Sequence, residues 1–140
     1  VDDVAAFGAA VDRMGDRAVW LNGIAERYAL PFAVAGADGF TTGVGNFLPG
    51  PVLALRDAIA AGDWERAREL VGLLRPIEEL RQETGQENAI AAANNVPVVK
   101  CGLDLAGFEG GTVREPLVEL GERDRERVEE CYERVLAATE

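Results

Sequence analysis

The sequence predicts an α/β fold that is predominantly helical, and two features lead to this prediction. In the first third of the chain, amphipathic helical patterns alternate with two short β-prone runs, the order expected of a parallel sheet with covered faces. Beyond Pro51, every predicted element is a helix with apolar residues at helical spacing. With 140 residues, 48% of them hydrophobic, the chain is long enough for one domain with a substantial core.

The first fifty residues contain both predicted strands. A first amphipathic helix is expected to end at Gly15, where glycine permits a positive φ. Residues 17–22, RAVWLN, predict a short buried strand, and residues 38–42 predict a second. A helix over residues 24–35 separates them, and Pro31 is expected to disturb it.

The helices after Pro51 are delimited by caps and breakers. An apolar stripe stops at Gly62, and Asp63 is suited to cap a longer helix that Pro76 should kink. Residues 83–95 form a predicted connection between helices.

Two further helices complete the predicted chain. Asn95 is expected at the cap and Pro97 in the first turn of the next helix, which carries Val99, Leu103 and Ala106 inward. A loop over residues 108–120 then leads to a last helix that begins near Glu122.

Two strands alone cannot make a stable parallel sheet, because both faces and both edges need partners. Either the helices form a bundle around the strands, or the chain is the carboxyl-terminal part of a larger domain. The second interpretation is preferred, since the helices have more apolar face than two short strands can cover.

Charge and composition exclude several classes of partner. The net charge of −11, with Lys100 as the single lysine among 14 basic residues, disfavours nucleic acid and anionic lipid. No apolar run is long enough for a membrane span, and the chain as given has no secretory signal, so a cytoplasmic location is expected. Cys101 and Cys131 lack zinc-site spacing and histidine partners, and they are expected to be free thiols.

The glycine-dense stretch over residues 36–51, GADGFTTGVGNFLPGP, lies between two amphipathic runs. Such a stretch lets backbone approach a ligand or another backbone segment. A functional loop at the end of a buried strand and a tight structural turn are both compatible with it. Without histidine, any acid–base catalysis here must use carboxylates, lysine, tyrosine or a substrate group.

Several motifs occur in an order that resembles the dihydrodipicolinate synthase and N-acetylneuraminate lyase superfamily. They are NGIAE at 22–26, AGADGFTTG at 35–43, NFLP at 46–49, AGDWERA at 61–67, RPIEELR at 75–81, NNVPVVK at 94–100 and REPLVEL at 114–120. The likeness covers essentially the whole chain. It implies the last two strands of a (β/α)8 TIM barrel in residues 1–50, followed by the last barrel helix and a carboxyl-terminal helical extension in residues 51–140.

Within that superfamily the sequence is most similar to 5-dehydro-4-deoxyglucarate dehydratase and related 2-keto-3-deoxy sugar acid dehydratases. GIAE matches their Gly-x-Ala-Glu pattern, where the synthases usually show Gly-Asp-Asp. Three positions depart from the dehydratase pattern. Thr42 replaces a usual serine, and Gly121 stands where a Ser or Thr often caps the last helix. Pro97 lies in a segment that often lacks proline in the dehydratases, so membership of the synthase branch is not excluded.

The resemblance implies a lyase in which a lysine forms a Schiff base with a 2-keto acid, and the iminium then accepts electrons when the C3 proton is removed. Neither an organic cofactor nor a metal is implied, and relatives are commonly tetramers. The Schiff-base lysine is expected upstream of Val1. Lys100 is instead expected to be structural, since it closes the NNVPVVK motif.

The resemblance also implies which residues of this chain bind substrate. They are Gly23, Glu26, Thr41, Thr42 and Gly43, at the two strand ends. The alternatives are that the threonines only satisfy local backbone and that Glu26 is a first-turn helix charge. The charged residues of RPIEELR are interpreted as a solvated, salt-bridged helix face.

Three functions remain open from the sequence. The first is a dehydratase of 2-keto-3-deoxy sugar acids. The second is dihydrodipicolinate synthase or a keto-acid aldolase of the same fold. The third is a non-catalytic helical assembly module, which the expected absence of the lysine from this chain favours.

Overall fold

The computed structural model describes residues 2–85 and 90–139, and in this part the chain is mostly helical around one two-stranded parallel sheet. In the sheet, Leu21 pairs with Gly39 and Asn22 with Phe40. The strands and helices are α1 Val4–Met14, β1 Leu21–Asn22, α2 Ala29–Val34, β2 Gly39–Phe40, α3 Pro49–Ala61, α4 Trp64–Gln82, α5 Asn95–Leu105 and α6 Glu122–Ala137. Short 3-10 segments lie at Gly15–Arg17, Glu26–Tyr28 and Val44–Asn46.

The core forms around α4, which packs against α3, α5 and α6. Its inward face carries apolar side chains at helical spacing: Ala67, Leu70, Val71, Leu74, Ile77 and Leu80. Asp63 caps α4 as predicted, accepting a hydrogen bond from the Arg66 N–H at 3.0 Å. The helix continues through Pro76, and the kink predicted there stays a prediction. Gly62 ends α3 in the left-handed conformation, as predicted.

The predicted buried strand over residues 17–22 is wrong in length and in burial. Only Leu21–Asn22 is strand, and Val19 and Leu21 are 76% and 55% exposed. A 3-10 turn takes up the start of the predicted strand. Among the described residues β1 pairs only with β2, so its other edge has no strand partner.

The predicted helix over residues 24–35 begins later than expected, at Ala29. Ala25 has a φ of 65°, which is incompatible with a helix, and a 3-10 turn follows it. Pro31 is therefore the third residue of α2. It causes no disturbance there, because the first N–H groups of a helix have no intrahelical partner.

The face that α5 turns inward includes the predicted residues but is centred on others. Val99, Leu103 and Ala106 are half-buried and pack against the core, whereas Val98 and Cys101 are buried, and Asn94 rather than Asn95 precedes the helix. Gly102 lies close to the Phe47 ring, since a Cβ there would be 2.6 Å from it.

Three further predictions concern the cysteines, the connection between α4 and α5, and membrane-spanning helices. Cys101 and Cys131 are free thiols, as predicted. The connection predicted over residues 83–95 is described only at its ends, since residues 86–89 lie outside the described residues. Within the described ranges, every helix is too short or too polar to cross a bilayer.

Candidate substrate pocket

A cavity of about 330 Å³ lies where the two parallel strands end. Gly23 follows β1, while Thr41, Thr42 and Gly43 follow β2, and all four line this cavity. Parallel strands end at the same edge of a sheet, so residues from distant parts of the chain converge here. Four of the five predicted substrate-binding residues are thus brought together.

The turn after β1 is held by the buried side chain of Asn22. Its Oδ1 accepts a hydrogen bond from the Ile24 N–H at 2.8 Å, and its Nδ2 donates to the Ala25 carbonyl at 2.8 Å. These bonds stabilise Ala25 at a positive φ, a conformation that costs on the order of 1–3 kcal/mol. The turn directs the next side chain, Glu26, into the interior, where it is fully buried.

The loop after β2 meets that turn through Thr42. The Thr41 N–H donates to the Asn22 carbonyl at 2.8 Å and continues the parallel pairing. Thr42 Oγ1 accepts a hydrogen bond from the Gly45 N–H at 2.7 Å and donates to Glu26 Oε1. The Thr42 hydroxyl therefore satisfies local backbone, as one interpretation expected, and also joins the two strand ends.

Glu26, the fifth predicted residue, lies beneath the pocket. It lies in the first turn of the 3-10 segment Glu26–Tyr28, as one interpretation expected, but it has no exposed surface. Among the described residues its Oε2 accepts no hydrogen bond, and Arg81 Nη1 lies 4.0 Å away. A buried carboxylate with one such oxygen is costly unless opposite charge is close.

Arg81 supplies that charge, and its burial corrects the interpretation of RPIEELR as a solvated face. Arg81 and Glu78 are 8% and 1% exposed, and the Arg81 Nη1 donates to Glu78 Oε1. These residues follow Leu74 and Ile77 by four positions and so share their buried face. Arg75 and Glu79 of the same motif are exposed.

Burial raises the pKa of Glu78 from 4.5 to about 7. The negative charge of Glu26 acts in the same direction, while the positive charge of Arg81 opposes both. Glu78 is thus able to gain or lose a proton near neutral pH, beside the Arg81 side chain that lines the pocket.

Arg81 also reaches the pocket wall, where sequence reasoning had not placed it. Its Nε and Nη2 donate to Asn95 Oδ1 at 3.0 and 2.8 Å, and both residues line the cavity. The spacing of Arg81 from Leu74 and Ile77 was a signal that could have found it. Asn95 was hidden by its interpretation as a helix cap.

Lys100 is not among the residues that line this pocket. It lies on α5, and its Nζ donates to the Gly110 carbonyl at 2.7 Å, closing the loop after that helix. This contact agrees with the structural role expected for it. Across residues 2–85 and 90–139, no three His, Cys, Asp or Glu side chains are grouped as a metal site would require.

The pocket is lined largely by residues that can form hydrogen bonds. Arg27, Arg81, Asn95, Thr41 and Thr42 are among them, together with Tyr28 and the acidic Asp2. Charge-assisted donors of this kind are suited to an anionic, oxygen-rich ligand. A small carboxylic acid fits this chemistry.

Known proteins match the chain over nearly its full length. The sequence profile of the dihydrodipicolinate synthetase family matches residues 1–135. A probable 5-dehydro-4-deoxyglucarate dehydratase from Variovorax paradoxus is 30% identical over 131 residues, covering 91% of this chain and 41% of the relative. A protein of the same description from Ectopseudomonas mendocina is 32% identical over 111 residues, covering 77% of this chain and 34% of the relative.

Solved structures are similar over the same extent. Dihydrodipicolinate synthase from Oceanobacillus iheyensis superposes with a TM-score of 0.84 at 28% identity, covering 95% of this chain and 43% of the other. Sialic acid aldolase from Ruminococcus gnavus superposes with a TM-score of 0.81 at 27% identity, covering 99% and 44%. The chain spans less than half the length of these relatives.

Proposed function

Because the chain belongs to the dihydrodipicolinate synthetase family, we propose that it forms part of a Schiff-base lyase acting on 2-keto-3-deoxy sugar acids. The relatives described as dehydratases support this choice of substrate, at 30% and 32% identity. The single observation that carries the proposal is the pocket, where two separate strand ends bring four of the five expected residues together and Thr42 is hydrogen-bonded to the fifth.

We place the chain in the last two strands of a (β/α)8 barrel, residues 1–50, with residues 51–140 as the last barrel helix and the helical extension. The parallel pairing of β1 and β2 agrees with this placement. The exposed Val19 and Leu21 beside β1 are also explained, because a neighbouring strand would cover them. A tetrameric assembly of the whole enzyme remains a prediction.

In the proposed reaction, a lysine outside this chain condenses with the 2-keto group, and the iminium accepts electrons as the C3 proton leaves. Loss of the C4 hydroxyl then completes the dehydration. The residues of this chain bind and orient the substrate. Thr42 and the Gly43 N–H contact the keto acid, and the Thr41 carbonyl lies beside the lysine. Glu26 acts on the substrate side through Thr42, to which it is hydrogen-bonded.

The test is reconstitution of activity. The chain is co-expressed with the amino-terminal segment of the V. paradoxus relative that the alignment does not cover, and dehydration of 2-keto-3-deoxy sugar acids is measured. We expect turnover from the pair and none from either part alone. Thr42→Val should reduce turnover, whereas Thr112→Val, which changes an exposed threonine of the loop before α6, should not.

Two other outcomes would replace the proposal. Synthase or aldolase activity in the same assay would favour the second function, which the similarity to the O. iheyensis and R. gnavus structures makes specific. A stable complex that turns over no keto acid would make the chain a non-catalytic assembly module.

A further inference from the structure

We propose that Arg81 is a positioning residue that fixes Glu26 and the Thr42–Gly43 backbone in the substrate pocket. This inference rests on the proposed function, because it assigns a role to α4 in forming the site. Contacts of one guanidinium with three partner residues carry it: the ion pairs with Glu78 and Glu26, and the two hydrogen bonds to Asn95.

The first step concerns orientation of the guanidinium. Asn95 Oδ1 accepts from both Nε and Nη2, and Glu78 Oε1 accepts from Nη1. Partners on two sides of a planar fork leave it little freedom to rotate. The guanidinium plane is therefore set by α4 and α5 before any ligand binds.

The second step concerns Glu26. Arg81 Nη1 lies 4.0 Å from Glu26 Oε2, the oxygen that accepts no hydrogen bond among the described residues. Opposite charge at that separation, away from water, stabilises the buried carboxylate. The other oxygen of Glu26 accepts from Thr42, so the position of Arg81 is transmitted to the Thr42 hydroxyl.

Gly43 lies directly against the Arg81 guanidinium. A Cβ at this position would clash with the Nη1, Nη2 and Cζ atoms of Arg81. Glycine is therefore needed here because the loop after β2 rests directly on the guanidinium. Displacement of Arg81 would move both the backbone of Gly43 and the neighbouring Thr42.

The test uses the chain itself and two pairs of matched variants. Arg81→Met removes the guanidinium, and Gly43→Ala pushes it aside while all charges remain. Arg66→Met changes an exposed arginine on α4, and Gly50→Ala places a Cβ in open space. If Arg81→Met fails to fold, Gly43→Ala decides the question.

The first readout is NMR of the free chain. We expect the Gly45 amide resonance, whose N–H donates to Thr42 Oγ1, to shift in Arg81→Met and Gly43→Ala but not in the two controls. The midpoint of the Glu78 carboxyl titration should rise in Arg81→Met, because the charge that opposes burial is lost. A chain that carries both Arg81→Met and Gly43→Ala should show no shift at Gly45 beyond that of Arg81→Met alone, since the Cβ added at position 43 then meets no guanidinium.

The second readout is the affinity for pyruvate, measured by adding pyruvate stepwise and following the same NMR resonances. Arg81→Met and Gly43→Ala should weaken binding by about tenfold or more, a size typical of displaced positioning groups. Folded Arg81→Met and Gly43→Ala chains that leave the Gly45 resonance and pyruvate affinity at wild-type values would overturn the inference. Absence of pyruvate binding by the isolated wild-type chain would agree with a Schiff-base lysine outside this chain, and the Gly45 and Glu78 signals would then decide the role of Arg81 on their own.

Discussion

Two arginine-centred clusters in this chain differ in how exposed the arginine and its main glutamate partner are. The pocket cluster consists of Arg81, Glu78 and Glu26, with side chains 10%, 2% and 0% exposed. The helix clamp consists of Arg127, Glu83 and Asp124, which join the end of α4 to α6. Arg127 donates to both carboxylate oxygens of Glu83 at 2.7 Å, and this side chain is 41% exposed.

The two clusters shift their glutamates in opposite directions. Hydrogen bonding to Arg127 lowers the pKa of Glu83. This carboxylate keeps much of its hydration, so burial opposes that shift only in part. Burial raises the pKa of Glu78 to about 7 even though Arg81 is in contact with it. An arginine next to a carboxylate therefore does not fix the sign of the pKa shift, since desolvation can outweigh it.

The largest expected effect is loss of the central charge of the pocket cluster. Arg81→Met should lower the free energy of unfolding by about 3–5 kcal/mol, because two carboxylates are left in the interior without their counter-charge. Urea denaturation at pH 7.5 measures this. Arg66→Met on the same helix is the control, and an equal loss in both variants would contradict the distinction between the clusters.

The next effect is a pH dependence from Glu78. Between pH 4.5 and 7 the folded chain binds more protons than the unfolded chain at this site, so stability falls as pH rises through that range. The contribution is at most about 3 kcal/mol. Denaturation midpoints from pH 4.5 to 8 should fall less steeply in Glu78→Gln than in wild type. The exposed neighbour Glu79 provides the control, and a Glu79→Gln chain should retain the wild-type slope.

The helix clamp should behave in the opposite way and more weakly. Glu83→Gln should lose about 1 kcal/mol or less at neutral pH, the range for exposed ion pairs. Because the pKa of Glu83 is lowered in the folded chain, its contribution is present above pH 4.5 and disappears as acid protonates the folded carboxylate. Thermal unfolding in neutral and strongly acidic buffer would show a difference between variant and wild type only in the first.

The smallest effect is expected for an ion pair that is more exposed than either cluster. Arg56 and Asp57 form an ion pair with side chains 59% and 64% exposed. Arg56→Ala should change the free energy of unfolding by less than about 0.5 kcal/mol. If urea denaturation shows a larger loss of unfolding free energy, the contribution of these ion pairs to stability does not decrease with their exposure.

The resemblance to a known superfamily pointed to the residues of the pocket wall. Gly23, Thr41, Thr42 and Gly43 lie together because parallel strands end at the same edge of a sheet, although β2 is shorter than the predicted strand over residues 38–42 and ends before Thr41. Helix boundaries marked by a strong local signal, at Gly15, Gly62 and Asp63, were also predicted correctly.

The burial of Glu78 and Arg81 next to Glu26 was not predicted. Glu78 and Arg81 have the i,i+3 spacing of an ordinary surface pair, and only the packing of α4 against its neighbours buries them. The beginning of α2 was missed for a different reason, because the positive φ of Ala25 depends on hydrogen bonds made by the Asn22 side chain within the same short turn. Non-local packing decided the first outcome, and side-chain hydrogen bonds within one turn decided the second.

The most direct test of the proposed function is mass spectrometry after borohydride reduction. The chain, co-expressed with the amino-terminal segment of the V. paradoxus relative, is incubated with pyruvate and reduced, and the adduct is mapped. We expect an adduct on the amino-terminal segment and none on this 15.0 kDa chain. An adduct at Lys100 would contradict it and would make the chain itself the source of the nucleophile.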